Sequence, residues 1–474
     1  MWPSIADIAS QVQSGKLHAS DLVERALQKI HEKEDYKAII ATTEERARDR
    51  AKDIDSRLKK GQNVGRLAGV PFVAKDNFLV FGADTTAASN ILKGFEAPYQ
   101  STAVERLEAE GAICIAKANL DAFGHGTSTE NSDFFTTHNP HDKGRVPGGS
   151  SGGSAVAVVL GMVPFAIGTD TGGSLRQPAN FSGCVGYKPT YGLVSRSGVI
   201  AMASSTDTVG PLARTVEDAA LVLDVMAGKD EKDSTTIERE KAGYDIRHAS
   251  YDIRGKKVGV IKEYMTKDVD ANVRACIESA VAKLAQAGAQ IKEVSIPTLK
   301  SALAAYYIVV PAEISSNLSR YDGQRYGYSY KNAKDLNDSY TKSRTIGFGY
   351  EAKRRIMIGT YVLSSGYYDA YYKQAQTVRT KLIQEFNQVF KIVDFLAGPV
   401  APTTAFKIGE NTNDPLKMYL ADIMTVAANL TGIPAISLPA GKSDGLPIGL
   451  QLMAAERQDK SLLELAQASE ELLA

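Results

Sequence analysis

Gly148-Gly149-Ser150-Ser151-Gly152-Gly153-Ser154, followed by Gly168-Thr169-Asp170-Thr171-Gly172-Gly173-Ser174-Leu175-Arg176-Gln177-Pro178, is the stretch that decides how this chain is read. Ser150 and Ser174 stand 24 residues apart, with Val/Ala/Ile-rich segments between them that read as an apolar helix and a strand. The glycines punctuate a packed core rather than form a linker. Glycine also lets a backbone approach a ligand closely and aim successive N–H groups at an anion. Such a row of donors can hold the oxyanion of an acyl-transfer intermediate, with a serine at its end as nucleophile. Two other readings stand beside this one: a pair of tight turns with capping serines, or a phosphate-binding loop. Neither GxxxxGK[ST] nor a helix-opening GxGxxG is present, which weighs against phosphate.

A serine nucleophile needs a base. The six histidines, His18, His31, His125, His138, His141 and His248, lie outside both clusters, and no GxSxG elbow occurs. His138-Asn139-Pro140-His141 reads as a loop, because Pro140 disfavours a helical ligand pair and no HExxH is present. Lys75 remains, at the end of the apolar run Val70-Pro71-Phe72-Val73-Ala74 and followed by Asp76-Asn77. A buried ammonium is costly unless paired or neutralised. Deprotonating a lysine at pH 7 costs about 4.6 kcal/mol unless the site lowers its pKa, and burial does so. The alternative is a lysine that only snorkels to the surface.

Outward from this core, the pattern is α/β. Residues 70–74 and 112–116 read as strands around a helix at 102–110; further strands are expected at 258–261, 291–294, 395–397, 435–438 and 449–452. Ser20 is expected to cap one N-terminal helix, and Thr42 with Glu45 to form a capping box ahead of another. The charged run Gly228 to Asp233 reads as an exposed connector. Between Tyr321 and Tyr372 lie 11 of the 21 tyrosines, which suits a pocket or an interface. The expected organisation is a single domain over 1–474, with a helical part at 1–65, the motif core at 66–215, and the rest of the sheet and the pocket at 250–474.

The 474 residues carry 55 Lys+Arg against 55 Asp+Glu, so no global basic field favours nonspecific nucleic-acid binding. Cys114, Cys184 and Cys276 are scattered without CxxC spacing, which fits a reducing compartment and argues against a zinc cage; no metal site is expected. The N-terminus lacks a basic-then-apolar signal pattern, and the stretch 155–167 is too short for a bilayer span of roughly 20 residues. A cytoplasmic location is expected.

The K-D-N strand end at Lys75, the G-G-S-S-G-G-S cluster and the G-T-D-x-G-G-S-[IL]-R-x-P cluster, in this order, resemble the amidase-signature enzymes. That resemblance implies an α/β fold with a large mixed central sheet flanked by helices. It implies Ser174 as acyl-forming nucleophile, Ser150 as bridging serine often held by a cis peptide, and Lys75 as base. The N–H groups of Thr171, Gly172, Gly173 and Ser174 would form the oxyanion hole. Within that family, Gly183 to Gly192, Ser204-Ser205-Thr206-Asp207, Gly347-Phe348-Gly349, Lys353-Arg354-Arg355-Ile356, Leu363 to Tyr372 and Met418 to Asp422 are similar to the glutaminase components of glutamine-dependent aspartyl/glutamyl-tRNA amidotransferases. Such a component hydrolyses glutamine and passes ammonia to a partner. The partner uses ATP and Mg²⁺ to activate Glu-tRNA(Gln) or Asp-tRNA(Asn), in a heterotrimer that holds two companion subunits. By position, Arg354 would pair the glutamine α-carboxylate and Asp422 its α-ammonium, with Tyr306 as a lesser pocket candidate; no cofactor is implied in this chain. His125 departs from the pattern, standing where an apolar residue, often Met, is expected, and reads as pocket lining rather than as a base. The alternative function is a stand-alone hydrolase of a small amide.

Overall fold

The computed structural model describes residues 1–247 and 251–474; His248 lies outside the described residues. Among the described residues eleven strands form one sheet: β1 (Ile39–Thr42), β2 (Pro71–Lys75), β3 (Ile113–Ala118), β4 (Phe165–Asp170), β5 (Val185–Lys188), β6 (Thr208–Ala213), β7 (Lys257–Ile261), β8 (Gln290–Val294), β9 (Phe395–Pro399), β10 (Ala435–Ser443) and β11 (Leu446–Ala454). Their order is β1-β3-β2-β4-β6-β5-β10-β11-β9-β7-β8. The sheet is mixed. β2 runs parallel to both β3 and β4, and β7 parallel to β8 and β9, while the centre from β4 through β9 pairs antiparallel. The motif strands β2 and β4 are buried at every position, as strands covered on both faces must be. Phe72 and Phe165 stack across them at 5.2 Å.

Because β2 and β4 are parallel neighbours, their last residues, Lys75 and Asp170, emerge at the same edge of the sheet. Loops leaving the carboxyl ends of parallel strands are where open α/β sheets build sites. Two short buried helices start there, Gly152–Val159 from within the first glycine-serine cluster and Arg176–Ser182 two residues after Ser174. Gly152–Val159 is small and apolar on every side, so it is enclosed rather than amphipathic.

Two local expectations are corrected. Ser20 does not cap the helix Ala19–Glu32: His18 holds that position, and Asp55 accepts the N–H groups of Ala19 and Ser20 along with the Ser20 hydroxyl. Thr42 belongs to β1, so the next helix, Glu44–Lys59, starts after Thr43, whose hydroxyl is drawn to the Cys114 carbonyl instead. The run 228–233 exposes Lys229, Glu231 and Lys232, as expected of a connector, and is anchored by its aspartates. Asp230 accepts hydroxyl bonds from Thr102 and Ser195, and Asp233 pairs with Arg196. The tyrosine-rich stretch divides: Tyr321 is buried against Phe123, whereas Tyr350, Tyr361, Tyr367, Tyr368 and Tyr371 are exposed. Among the described residues no helix is long and apolar enough to cross a membrane.

Candidate active site

Lys75 is fully buried at the end of β2, and its Nζ donates to Ser150 Oγ at 2.7 Å and to Thr169 Oγ1 at 2.9 Å. Asn77 also donates to Thr169 Oγ1, at 3.1 Å, which fixes that hydroxyl. The partners of Lys75 are thus neutral oxygens, and among the described residues no carboxylate pairs with it. Burial brings its pKa down to about 7, against the opposing pull of the more distant Asp121, Asp170 and Asp207. A neutral amine is therefore accessible near physiological pH. The Gly149–Ser150 peptide is cis.

The second cluster is organised around a carboxylate. Asp170 accepts from the N–H of Gly173 at 2.8 Å and of Leu175 at 3.2 Å. Arg176 grips Asp170 through Nε and Nη2, both at 3.0 Å. Its remaining donors go to the Thr425 carbonyl, Gln451 Oε1 and Asn429 Oδ1. Burial alone would raise the Asp170 pKa; the Arg176 charge and its hydrogen bonds overcome this and hold it at about 2. The loop is clamped from the other side by Thr425, whose hydroxyl donates to the Gly172 carbonyl at 2.6 Å, and by Thr171, whose hydroxyl donates to Asp207 at 2.7 Å. Gly173 has φ +138°, and a Cβ there would lie 2.3 Å from Thr425 Oγ1, so this position admits only glycine.

These bonds correct one expectation. The resemblance counts Gly173 among the oxyanion donors, but its N–H is committed to Asp170. The N–H groups of Thr171, Gly172 and Ser174 have no acceptor among the described residues, so three donors remain around Ser174. Ser174 is 7% exposed, and its carbonyl accepts the Ser151 N–H at 3.2 Å, which binds the two clusters together. The arrangement can hold developing negative charge beside a serine hydroxyl, with a lysine one serine away.

Tyr306 is buried against the loop: a Cβ on Gly172 would lie 2.4 Å from its hydroxyl. Tyr307 packs edge-on against Tyr306, stacks on Tyr419 at 3.9 Å, and donates to Asp422 Oδ2 at 2.8 Å. Burial raises the Asp422 pKa to about 7, opposed by the Tyr307 and Thr127 hydroxyls. Arg354 lies on the wall of a chamber of about 50 Å³, together with Thr127, Tyr307 and Tyr419. It pairs with Glu351 at 2.7 Å and is about a quarter exposed. Its neighbour Arg355, which the sequence pattern does not separate from it, is the deeper cation: it is 3% exposed, pairs with Glu351 at 2.8 Å, and lies over the rings of Tyr307 and Tyr419. The site residues expected from sequence thus form two groups, a lysine–serine end and an arginine–aspartate end, joined through Gly172, Tyr306 and Tyr307.

His125 is fully buried beside Phe123, and burial, reinforced by Arg355, keeps its imidazole neutral. Lys75 does not hydrogen-bond to it. Among what the sequence does not single out, Asp121 fixes the loop after it by accepting the N–H groups of Ser128, Thr129 and Asn131. Asp76 forms a fully buried ion pair with Lys117 at 2.7 Å. Lys117 carries a signal of its own: a cation inside the apolar strand Ile113–Ala118 demands a buried anion.

The family model described as Amidase matches residues 21–463. The chain is 50% identical over 469 residues to the A subunit of the glutamyl-tRNA(Gln) amidotransferase of Geobacillus kaustophilus, covering 99% of this chain and 96% of that one. It is 48% identical to the counterpart of the same name from Caldanaerobacter subterraneus, over 98% and 96% of the two chains. Among solved structures, the A subunit of the Thermotoga maritima glutamyl-tRNA(Gln) amidotransferase superposes with TM-score 0.78 at 40% identity, over 96% of this chain and 91% of that one. The peptide amidase of Stenotrophomonas maltophilia superposes with TM-score 0.82 at 28% identity, over 99% and 96%.

Proposed function

This chain belongs to the amidase family, and on that footing we propose that it is the glutaminase component, the A subunit, of a glutamyl-tRNA(Gln) amidotransferase, hydrolysing glutamine to supply ammonia. The observation that carries the chemistry is the buried Lys75 on Ser150, next to a clamped loop with three free N–H groups. In the neutral state Lys75 takes the Ser150 proton as Ser150 takes that of Ser174. The Ser174 oxygen attacks the carboxamide carbon of glutamine. Thr171, Gly172 and Ser174 N–H groups receive the oxyanion. The same relay returns the proton to the departing nitrogen, so ammonia leaves and a γ-glutamyl ester stays on Ser174. Water, deprotonated through the same serine and lysine, then releases glutamate.

At the far end of the pocket Arg354 takes the α-carboxylate, Asp422 the α-ammonium, and Tyr306 forms the wall between. Zwitterion recognition needs one fixed cation and one fixed anion, and these two supply them. Two companion subunits complete the enzyme in the cytoplasm. One of them uses ATP and Mg²⁺ to activate the tRNA-borne carboxylate, of Glu-tRNA(Gln) or Asp-tRNA(Asn), and accepts the ammonia.

The test is Arg354→Ala in the assembled complex. A charge-assisted contact of this kind is worth about 10- to 150-fold, so glutamine-dependent amidation should fall by that factor. Ammonium salts, which bypass the glutaminase site, should still support amidation. Undiminished glutamine use by the variant, or a parent enzyme that prefers acetamide to glutamine, contradicts the reading.

A further inference from the structure

The run Ser204-Ser205-Thr206-Asp207 ends on a carboxylate that takes no part in the proton relay. Asp207 is 6% exposed, and among the described residues no cation pairs with it. A carboxylate in the interior is costly unless its oxygens are bonded, and these oxygens are. One accepts the Thr171 hydroxyl at 2.7 Å, the other the Met202 N–H at 2.9 Å, and the Ala203 N–H reaches both at 3.1 Å. The sheet sets up this meeting. Asp170 faces Thr208 across the antiparallel ladder of β4 and β6, so Thr171 and Asp207 come together just past its end.

Thr171 needs that anchor. Its Cα joins the two peptide units that carry the Thr171 and Gly172 N–H groups, two of the three donors around Ser174. The first unit is held at its carbonyl, where Asn429 Nδ2 donates to the Asp170 oxygen at 3.0 Å. The unit after Gly172 is held at both ends, by Thr425 on the Gly172 carbonyl and by Asp170 on the Gly173 N–H. The Thr171–Gly172 unit between them has no partner of its own among the described residues, at either its carbonyl or its N–H. Its plane is set by its neighbours alone, and glycine at 172 leaves that plane free to turn. On the Thr171 side the restraint is the side chain fixed to Asp207. Asp207 is anchored in turn through its own loop. The Ser205 N–H donates to Glu313 at 2.9 Å and Asn317 Nδ2 to the Met202 carbonyl at 3.1 Å, both acceptor and donor lying on the helix Leu299–Asn317 that carries Tyr306. Arg379 holds the Ser205 carbonyl at 3.0 Å.

We propose that Asp207 is a positioning residue of the acyl-transfer site: through the Thr171 hydroxyl it fixes the direction of the Thr171 and Gly172 N–H groups toward the oxyanion. This rests on the reading of the chain as a glutaminase for the choice of substrate, since any amide attacked by Ser174 develops the same charge. Donors aimed at that charge act in the transition state and little on the ground-state amide, so the effect falls on kcat.

The experiment measures glutamine hydrolysis by the assembled complex. Thr171→Val keeps the shape and the main-chain N–H but removes the hydroxyl. It should lower kcat about 10²-fold, the cost of roughly a 1 Å misplacement, with the KM for glutamine unchanged. Thr171→Ser, which keeps the donor, should retain most of the parent kcat. Asp207→Asn replaces one accepting oxygen by a donor and should lower kcat as well. Because the two residues act as one unit, Thr171→Val combined with Asp207→Asn should be no slower than the slower single variant. A parental kcat in Thr171→Val overturns the proposal, as do single losses that multiply in the double variant. A rise in KM or a loss of ammonium-dependent amidation that matches the fall in kcat is the mark of a structural role and overturns it too. A parent that leaves glutamine intact but shows the expected pattern on a simple amide would overturn the glutaminase reading alone.

Discussion

A lysine that accepts a proton must first lose one, and Lys75 is placed so that this loss is easy. It is fully buried, hydrogen-bonded to two hydroxyls and to no carboxylate, and its pKa is brought down by burial to about 7. Arginine at this position would keep charge and approximate length but stays protonated. Lys75→Arg should therefore lower glutaminase turnover by about 10²–10⁴-fold, as loss of a general base does. Near-normal turnover would require another base. The pH dependence follows with its sign: below about pH 7 the ammonium form dominates and cannot take the Ser150 proton, so kcat should rise with pH through that value. Asp422, raised to about 7 by burial, adds a second rising limb to kcat/KM, because its protonated form cannot hold an ammonium. In the bound complex the substrate ammonium keeps Asp422 ionised, so the kcat limb should report Lys75 alone. A kcat that falls with rising pH in this range would contradict the assignment of Lys75, and a kcat/KM profile with no limb beyond that of kcat would contradict the assignment of Asp422.

The loop Thr171–Ser174 owes its shape to contacts far away in sequence. Arg176 directs all five donors to Asp170, Thr425, Asn429 and Gln451, up to 275 residues distant. Arg176→Met would strand the buried Asp170 carboxylate without its cation. Breaking a buried pair in this way costs about 3–5 kcal/mol, so thermal melting should show a clear loss of stability, together with lost activity. A variant as stable as the parent would mean that the Thr425 and Thr171 hydroxyl clamps hold the loop without the Arg176–Asp170 pair. This web also marks what is legible in the sequence. Lys75, Ser150 and Ser174 can be found there because each sits in a short local motif, and the strands because alternation of apolar runs is local too. Asp170 and Arg176 lie inside the glycine-serine motif, six residues apart, yet their partners Thr425, Asn429 and Gln451 carry no pattern linking them to it. The commitment of the Gly173 N–H to Asp170 depends on backbone direction within a turn, which glycine leaves open. Likewise the sequence points to Arg354, but only packing reveals that Arg355 is the cation buried over Tyr307 and Tyr419.

At the scale of the whole molecule, the sheet carries the lysine end of the pocket, while a helix holding Arg354 and a turn holding Asp422 carry the other. β2 and β4 bring Lys75 and Asp170 to a common edge, and the segment holding Asp422 and Thr425 packs onto the same loop from the C-terminal third. Ammonia released into water at neutral pH is mostly protonated and no longer nucleophilic, so its production should be coupled to an acceptor. The isolated chain should therefore be a poor glutaminase, stimulated by its companion subunits and further by charged tRNA; full activity of the chain alone would favour a stand-alone amidase. The central claim is that Ser174, not Ser150, carries the acyl group, with Lys75 acting through Ser150. Peptide mass mapping after reaction with an acylating glutamine analogue tests this most directly. The account predicts one acyl adduct, on Ser174, formed slowly in Lys75→Arg and absent in Ser174→Ala; an adduct on Ser150, or labelling that persists in Ser174→Ala, would contradict it.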